Sequence, residues 1–178
     1  MARKEGNEGE GPIDPMLSPD LIDDSSPESL GVNWLQVMGT DASLPSICQR
    51  NGFKENLILR HLKVDRVEPG LAIFILTVKS PITNRYRTFH GGAVATVASI
   101  AAMAAVKTIS GDKTFSLSEM CISYVSAARI DVELEIEAKV LRFGKSIAVS
   151  SIDIRNKTTN QITFQGRATF YHMPTSSL

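Results

Sequence analysis

Between Gly91 and Val106 the chain carries no charge and is built of Ala, Val, Ile, Met, Ser and Thr behind a Gly-Gly pair. Alanine is the best helix former. A helix that is small or apolar on every side is one buried all round. The run falls short of the roughly 20 apolar residues that a bilayer span needs, so no membrane span is expected. Its small side chains let a sheet approach closely from several directions. Ser110-Gly111-Asp112 then supplies a stop. Whatever else the chain forms must wrap around this segment.

The flanking sequence predicts the wrapping. Val32 to Gln49 has helical spacing, interrupted at Gly39 and Pro45, which predicts a short helix and a further turn near 45–50. Leu57, Leu59 and His61, then Leu62 and Val64, predict a strand over 57–67 with a bulge near His61. Glu68-Pro69-Gly70 turns this into a second strand over 71–78, giving a hairpin. Residues 80–89 are polar, hold Pro81 and read as a loop. After the central helix come strands over 114–125, 132–140, 146–155 and 161–171. The second alternates without a fault: Val132, Leu134, Ile136, Ala138 and Val140 against Glu133, Glu135, Glu137 and Lys139. That is a half-buried antiparallel strand. The expected class is α+β, a curved antiparallel sheet around one long central helix.

Charge divides the chain. Lys plus Arg equals Asp plus Glu at 19 each, which argues against a dedicated nucleic-acid binder. Residues 1–31 hold eight acids, two bases and four of the eight prolines, a net of −6 that leaves +6 for the rest. Such a segment buries too little apolar surface to offset its ordering entropy and reads as a disordered acidic tail. It has neither the apolar core of a secretory signal nor the composition of a transit peptide. A single domain is expected over 32–173, with a flexible tail at 174–178. Cys48 and Cys121 are too few for a disulfide scaffold and fit a reducing compartment. His61, His90 and His172 lie too far apart in sequence for a zinc motif, so neither metal nor cofactor is expected. Cys121, Tyr124, Phe170 and Tyr171 read as core. The last residues, Ser-Ser-Leu, are one substitution from the Ser-Lys-Leu peroxisomal address, and the expected location is peroxisome or cytoplasm.

Several short motifs lie in this order: Thr83-Asn84, His90-Gly91-Gly92-Ala-Val-Ala-Thr, Ile122-Ser-Tyr-Val-Ser126, Gly144-Lys145 and Gln165-Gly166-Arg167. With the helix and strands around them, over about residues 50–170, the chain resembles the hotdog-fold acyl-CoA thioesterases. More narrowly it is similar to the small phenylacetyl-CoA thioesterase (PaaI) type and to its plant members. The resemblance implies hydrolysis of acyl-CoA to free acid and CoA, and a homodimer or homotetramer with sites between subunits. It assigns an oxyanion hole to Asn84 and Gly91, with His90 helping to shape the loop, and Gly91 and Gly92 have no side chain to block a thioester's approach. The physics fits, because N–H groups at a helix start are unpaired and meet the positive end of the helix dipole. By themselves, though, His-Gly-Gly also reads as a tight loop-to-helix turn and Asn84 as a turn residue.

The water-activating half departs from the family. The helix carboxylate nine residues after the histidine is Ser99 here, and the water-holding Ser or Thr on the next strand is Leu117. Glu119 alternates onto Leu117's face and reads either as a displaced base or as a solvated glutamate. Losing a general base typically costs ~10²–10⁴ in rate. Three activities therefore stay open: a slow thioesterase, a non-catalytic acyl-CoA-binding protein, and an enoyl-CoA hydratase. The last needs an Asp five residues before the histidine, where this chain has Arg85. The phosphates of CoA call for cations at the mouth of the site. Arg142 and Lys145 are the first candidates, with Arg129, Lys157 and Arg167 behind them.

Overall fold

The computed structural model describes Val32, Trp34, Leu35 and residues 45–173. The expected tails, 1–31 and 174–178, lie outside the described residues. The chain divides into two units, Met1–Gln49 and Arg50–Leu178. In the first, Val32, Trp34 and Leu35 are helical and exposed, and Ser46–Gln49 makes a 3-10 turn.

The second unit runs α1 (Phe53–Leu59), β1 (Leu62–Glu68), β2 (Leu71–Thr77), α2 (Gly91–Ser110), β3 (Phe115–Tyr124), β4 (Glu133–Phe143), β5 (Ile147–Asn156) and β6 (Ile162–His172). The strands form one antiparallel sheet in the order β1-β2-β4-β5-β6-β3. Four of the five strand pairings carry a register shift, at Val64/Arg66, Leu117/Glu119, Val140/Arg142 and Ile154/Arg155. Each such irregularity bends its strand and adds twist, which is how one sheet curls over one helix.

Helix α2 lays Ala93, Val94, Val97, Ala98, Ala101, Ala102, Ala105 and Val106 against the sheet, all buried. Opposite them stand Leu76, Leu134, Ile136, Ile152, Ile154 and Phe170, each almost wholly excluded from water. Burying side chains of this size contributes ~1.5–3 kcal/mol apiece. The alanines let the backbone come close enough for those larger residues to fill the gap.

Three expectations need correcting. Helix α2 is not buried all round: Thr96, Ser99, Ile100 and Met103 lie on its other side, only half-covered. It is also longer than the uncharged run, reaching 20 residues with mean hydropathy 1.6, so by length and composition it could cross a membrane. Its burial against the sheet accounts for that composition instead. Finally, residues 57–61 are not strand. Leu57 and Leu59 belong to α1, which buries Ile58 and leaves Leu59 exposed, and the bulge in β1 falls near Asp65 rather than His61.

Candidate active site

Helix α2 begins at a loop held by side chains. His90 is its N-cap, in extended conformation, and its Nδ1 accepts a hydrogen bond from the Gly92 N–H at 3.0 Å. The Val94 N–H reaches the His90 carbonyl at 3.0 Å. The Gly91 N–H meets no acceptor among the described residues. An accepting Nδ1 is an unprotonated one, which leaves the ring N–H at Nε2. Of the two glycines, Gly92 is the one whose close approach leaves little room for a side chain, while a Cβ at Gly91 would make an ordinary contact. A Cβ at Gly92 would sit 3.2 Å from His90 Nδ1, and one at Gly91 would sit 3.4 Å from Tyr124 Cε1.

Asn84 organises the loop before the helix. Its Oδ1 accepts from the Tyr86 N–H (3.0 Å), the Thr88 N–H (3.2 Å) and the Thr88 hydroxyl (3.1 Å). The turn is closed by the Asn84 N–H on the Thr88 carbonyl at 2.9 Å. With the oxygen fixed by three donors, the amide NH₂ is the end left over, and it has no acceptor among the described residues. The loop thus presents a free amide donor, and the helix start presents a free N–H.

The remaining candidates do not gather there within one copy. Ser99 lies eight residues along α2, roughly 12 Å at the helical rise, and its hydroxyl donates to the Thr96 carbonyl at 2.9 Å. Leu117 pairs with Phe170, whereas the row nearest the helix start pairs Tyr124 with Phe164. Six residues of β6 separate the two rows, roughly 20 Å. Arg142 and Lys145 sit by the β4–β5 hairpin, at Leu117's end of the sheet. Glu119 is not on Leu117's face. The register shift at Ser118 inserts a residue, so Leu117 faces inward with Phe170 while Glu119 turns outward with Thr169. Simple alternation fails at that bulge.

Tyr124 is the site residue that sequence reasoning missed. It is 55% exposed rather than core, and its hydroxyl donates to the Gly91 carbonyl at 3.0 Å. Its ring packs edge-on against Phe164 at 5.7 Å. The sequence carried no signal for it, because no residue pattern links positions 33 apart. Cys121 is likewise exposed, on the outer face opposite Arg167, not an inert core thiol. Of the basic residues, Arg129 bridges through its backbone to Thr88, and the Ile130 N–H donates to the Arg87 carbonyl at 3.1 Å. These two arginines flank the Asn84 turn.

Beside the helix start lies a cavity of about 260 Å³, lined by Leu57 and Ile58 of α1, Pro81, Ile82, His90 and Gly92 among others.

A curled antiparallel sheet around one long helix is the hotdog fold. Residues 86–163 match the family model described as Thioesterase superfamily. Acyl-coenzyme A thioesterase 13 of Mus musculus is 38% identical over 113 residues, covering 63% of this chain and 80% of that one. The Homo sapiens protein of the same name is 36% identical over the same span. The crystal structure of zebra fish thioesterase superfamily member 2 superposes with a TM-score of 0.65 at 28% identity, covering 71% of this chain and 90% of that chain. The chain belongs to the thioesterase superfamily.

Proposed function

We propose that the protein hydrolyses acyl-CoA thioesters to a carboxylic acid and free CoA. The observation that carries the reading is the unpaired Gly91 N–H at the positive end of a 20-residue helix. The carbonyl oxygen of the thioester docks between this N–H and the free amide of Asn84. As water adds to the carbon, negative charge grows on that oxygen, and each well-placed donor stabilises it by ~3–4 kcal/mol. The tetrahedral intermediate then expels the CoA thiolate, which takes up a proton. His90 holds the Gly92 N–H out of the way, and Tyr124 anchors the Gly91 peptide from behind. Arg87 and Arg129 supply cations for the CoA phosphates. Close relatives named acyl-coenzyme A thioesterase 13 support this substrate class.

Water activation is the weak half. Sequence and fold put no carboxylate on α2, and the Ser99 hydroxyl is tied to its own helix. The reading is therefore a slow enzyme whose oxyanion hole does most of the work. That same observation favours, as a second reading, a protein that binds acyl-CoA without turning it over.

The site also calls for a second copy. Ser99, Leu117, Arg142 and Lys145 stand too far from Gly91 in one chain, and β3 is an edge strand whose residues are mostly exposed. Antiparallel pairing of two β3 edges would bring the Leu117 end of one copy to the Tyr124 end of the other. We take the homodimer as the working unit, with a tetramer as a further assembly.

Release of free thiol from acyl-CoA tests the reading. Ser99→Asp should raise kcat by about 10-fold or more, since a positioned general base is worth ~10²–10⁴ at ideal geometry. Asn84→Ala should lower kcat in either background by up to ~10²-fold. Tight binding of a non-hydrolysable analogue with no thiol release by the parent or by folded Ser99→Asp would leave the binding-protein reading instead.

A further inference from the structure

We propose that the cavity between α1 and the start of α2 holds the acyl group of the substrate, and that it fits an unbranched chain of about eight carbons. The inference rests on the reading of Gly91 as the anchor of the thioester. From that anchor the substrate has two ways to run. One leads out over the Asn84 turn, which Arg87 and Arg129 flank. The other leads past His90 and Gly92 into the cavity.

The two ways differ in what they accept. The cavity is walled on its inner side by Ile58, Ile82 and Ala93, which are 3%, 3% and 7% exposed. Lys54 is the only Lys, Arg, Asp or Glu in its lining. Its 260 Å³ holds about eight methylene groups, each taking roughly the ~30 Å³ of a water. A pantetheine arm with its nucleotide is too large for that space and too polar for that wall. The acyl chain therefore goes in, and CoA leaves along the open side, where Arg87 and Arg129 flank the loop. Leu57 is the wall residue that sets the length. It is half-buried on α1, at the margin of the core rather than within it.

The test measures binding of S-alkyl-CoA thioethers, which cannot be hydrolysed, by isothermal titration calorimetry. Methyl, butyl, octyl and hexadecyl chains are compared. The parent should gain affinity by roughly fourfold per buried methylene at most, up to about eight carbons, and gain nothing further at sixteen. Leu57→Trp fills the cavity and should cut the octyl-to-methyl affinity ratio by about tenfold or more. Leu57→Ala enlarges it and should move the plateau to longer chains. The smaller side chain keeps the test open if the tryptophan variant does not fold. An unchanged ratio in both variants, or a parent whose affinity climbs steadily to hexadecyl, overturns the proposal. The outcomes separate it from the parent reading. An octyl plateau sensitive to Leu57 in a protein that releases no thiol keeps the pocket and removes the hydrolase. Hydrolysis with no effect of Leu57 does the reverse.

Discussion

The His90-Gly91-Gly92 triplet earns its composition one atom at a time. His90 Nδ1 takes the Gly92 N–H, while the Gly91 N–H has no acceptor among the described residues and is left for a substrate. A side chain at Gly92 would press on the ring at 3.2–3.3 Å, tighter than nine in ten real Cβ contacts, so the ring must give. Gly92→Ala should therefore push His90 off its cap and release a second N–H into the site. We expect kcat/KM to fall several-fold to about 10²-fold, with a loss of helix stability of ~0.5–2 kcal/mol as the cap is lost. Thiol-release kinetics and urea unfolding measure both. An alanine variant with parental kcat/KM would show that the cap has no part in the reaction. The motif itself was legible in the sequence, because glycine pairs after a polar cap mark a helix start. The role of Tyr124 was not. Its hydroxyl acts on Gly91 across 33 positions, and only the fold brings the two together.

Elements differ in how far their sequence announces them. Helix α2 was legible from its uncharged, alanine-rich composition, and strand β4 from an alternation with no competing signal. Leu134, Ile136 and Ala138 are all fully buried on the inner face, as the alternation requires. Strand β3 was misread at its centre. One extra residue at Ser118 reverses every side chain after it, and nothing in Ser-Leu-Ser-Glu marks that bulge. Helix α1 was misread because Leu57, Leu59 and His61 alternate, while the buried residue is Ile58. The α1–β1 junction carries a consequence for pH. His61 Nε2 is inaccessible to water and has no hydrogen-bond partner among the described residues. Burial first, then the charges of Arg60 and Lys79, hold its pKa below the ordinary 6.5. Above pH 6.5 the ring is neutral in both folded and unfolded chains, and the native state bears no penalty. As pH falls below that value, the unfolded chain takes a proton that the folded one resists, so stability declines toward the folded pKa. Urea midpoints should be lower at acid pH than at neutral pH, and His61→Gln should flatten part of the difference. A variant with the parental pH slope would show that His61 does not contribute.

At the scale of the whole molecule, the question is whether one chain contains a complete site. In a single copy the donors of Asn84 and Gly91 stand at one end of the sheet, and Leu117 stands roughly 20 Å away at the other. Ser99 faces outward from the sheet on the half-covered side of α2. The proposed two-fold pairing of β3 edges would answer both at once, because it would reverse one copy against the other and set the open side of one helix toward its neighbour. If the site is shared, its halves can be supplied by different chains. The double variant Asn84→Ala/Ser99→Asp carries a damaged hole and an improved base. The parent carries an intact hole and no base. Neither alone should exceed slow turnover. Mixed after exchange of subunits, the two form heterodimers in which one site joins the parent's Asn84 and Gly91 to the variant's new carboxylate. Thiol release by the mixture should then exceed the sum of the separate activities, by several-fold when the general base is well placed. It should peak near equal proportions and vanish when the subunits are cross-linked before mixing. A mixture that gives only the weighted sum, from chains shown by light scattering to have exchanged, would place each site within one copy and require Ser99 to act along its own helix.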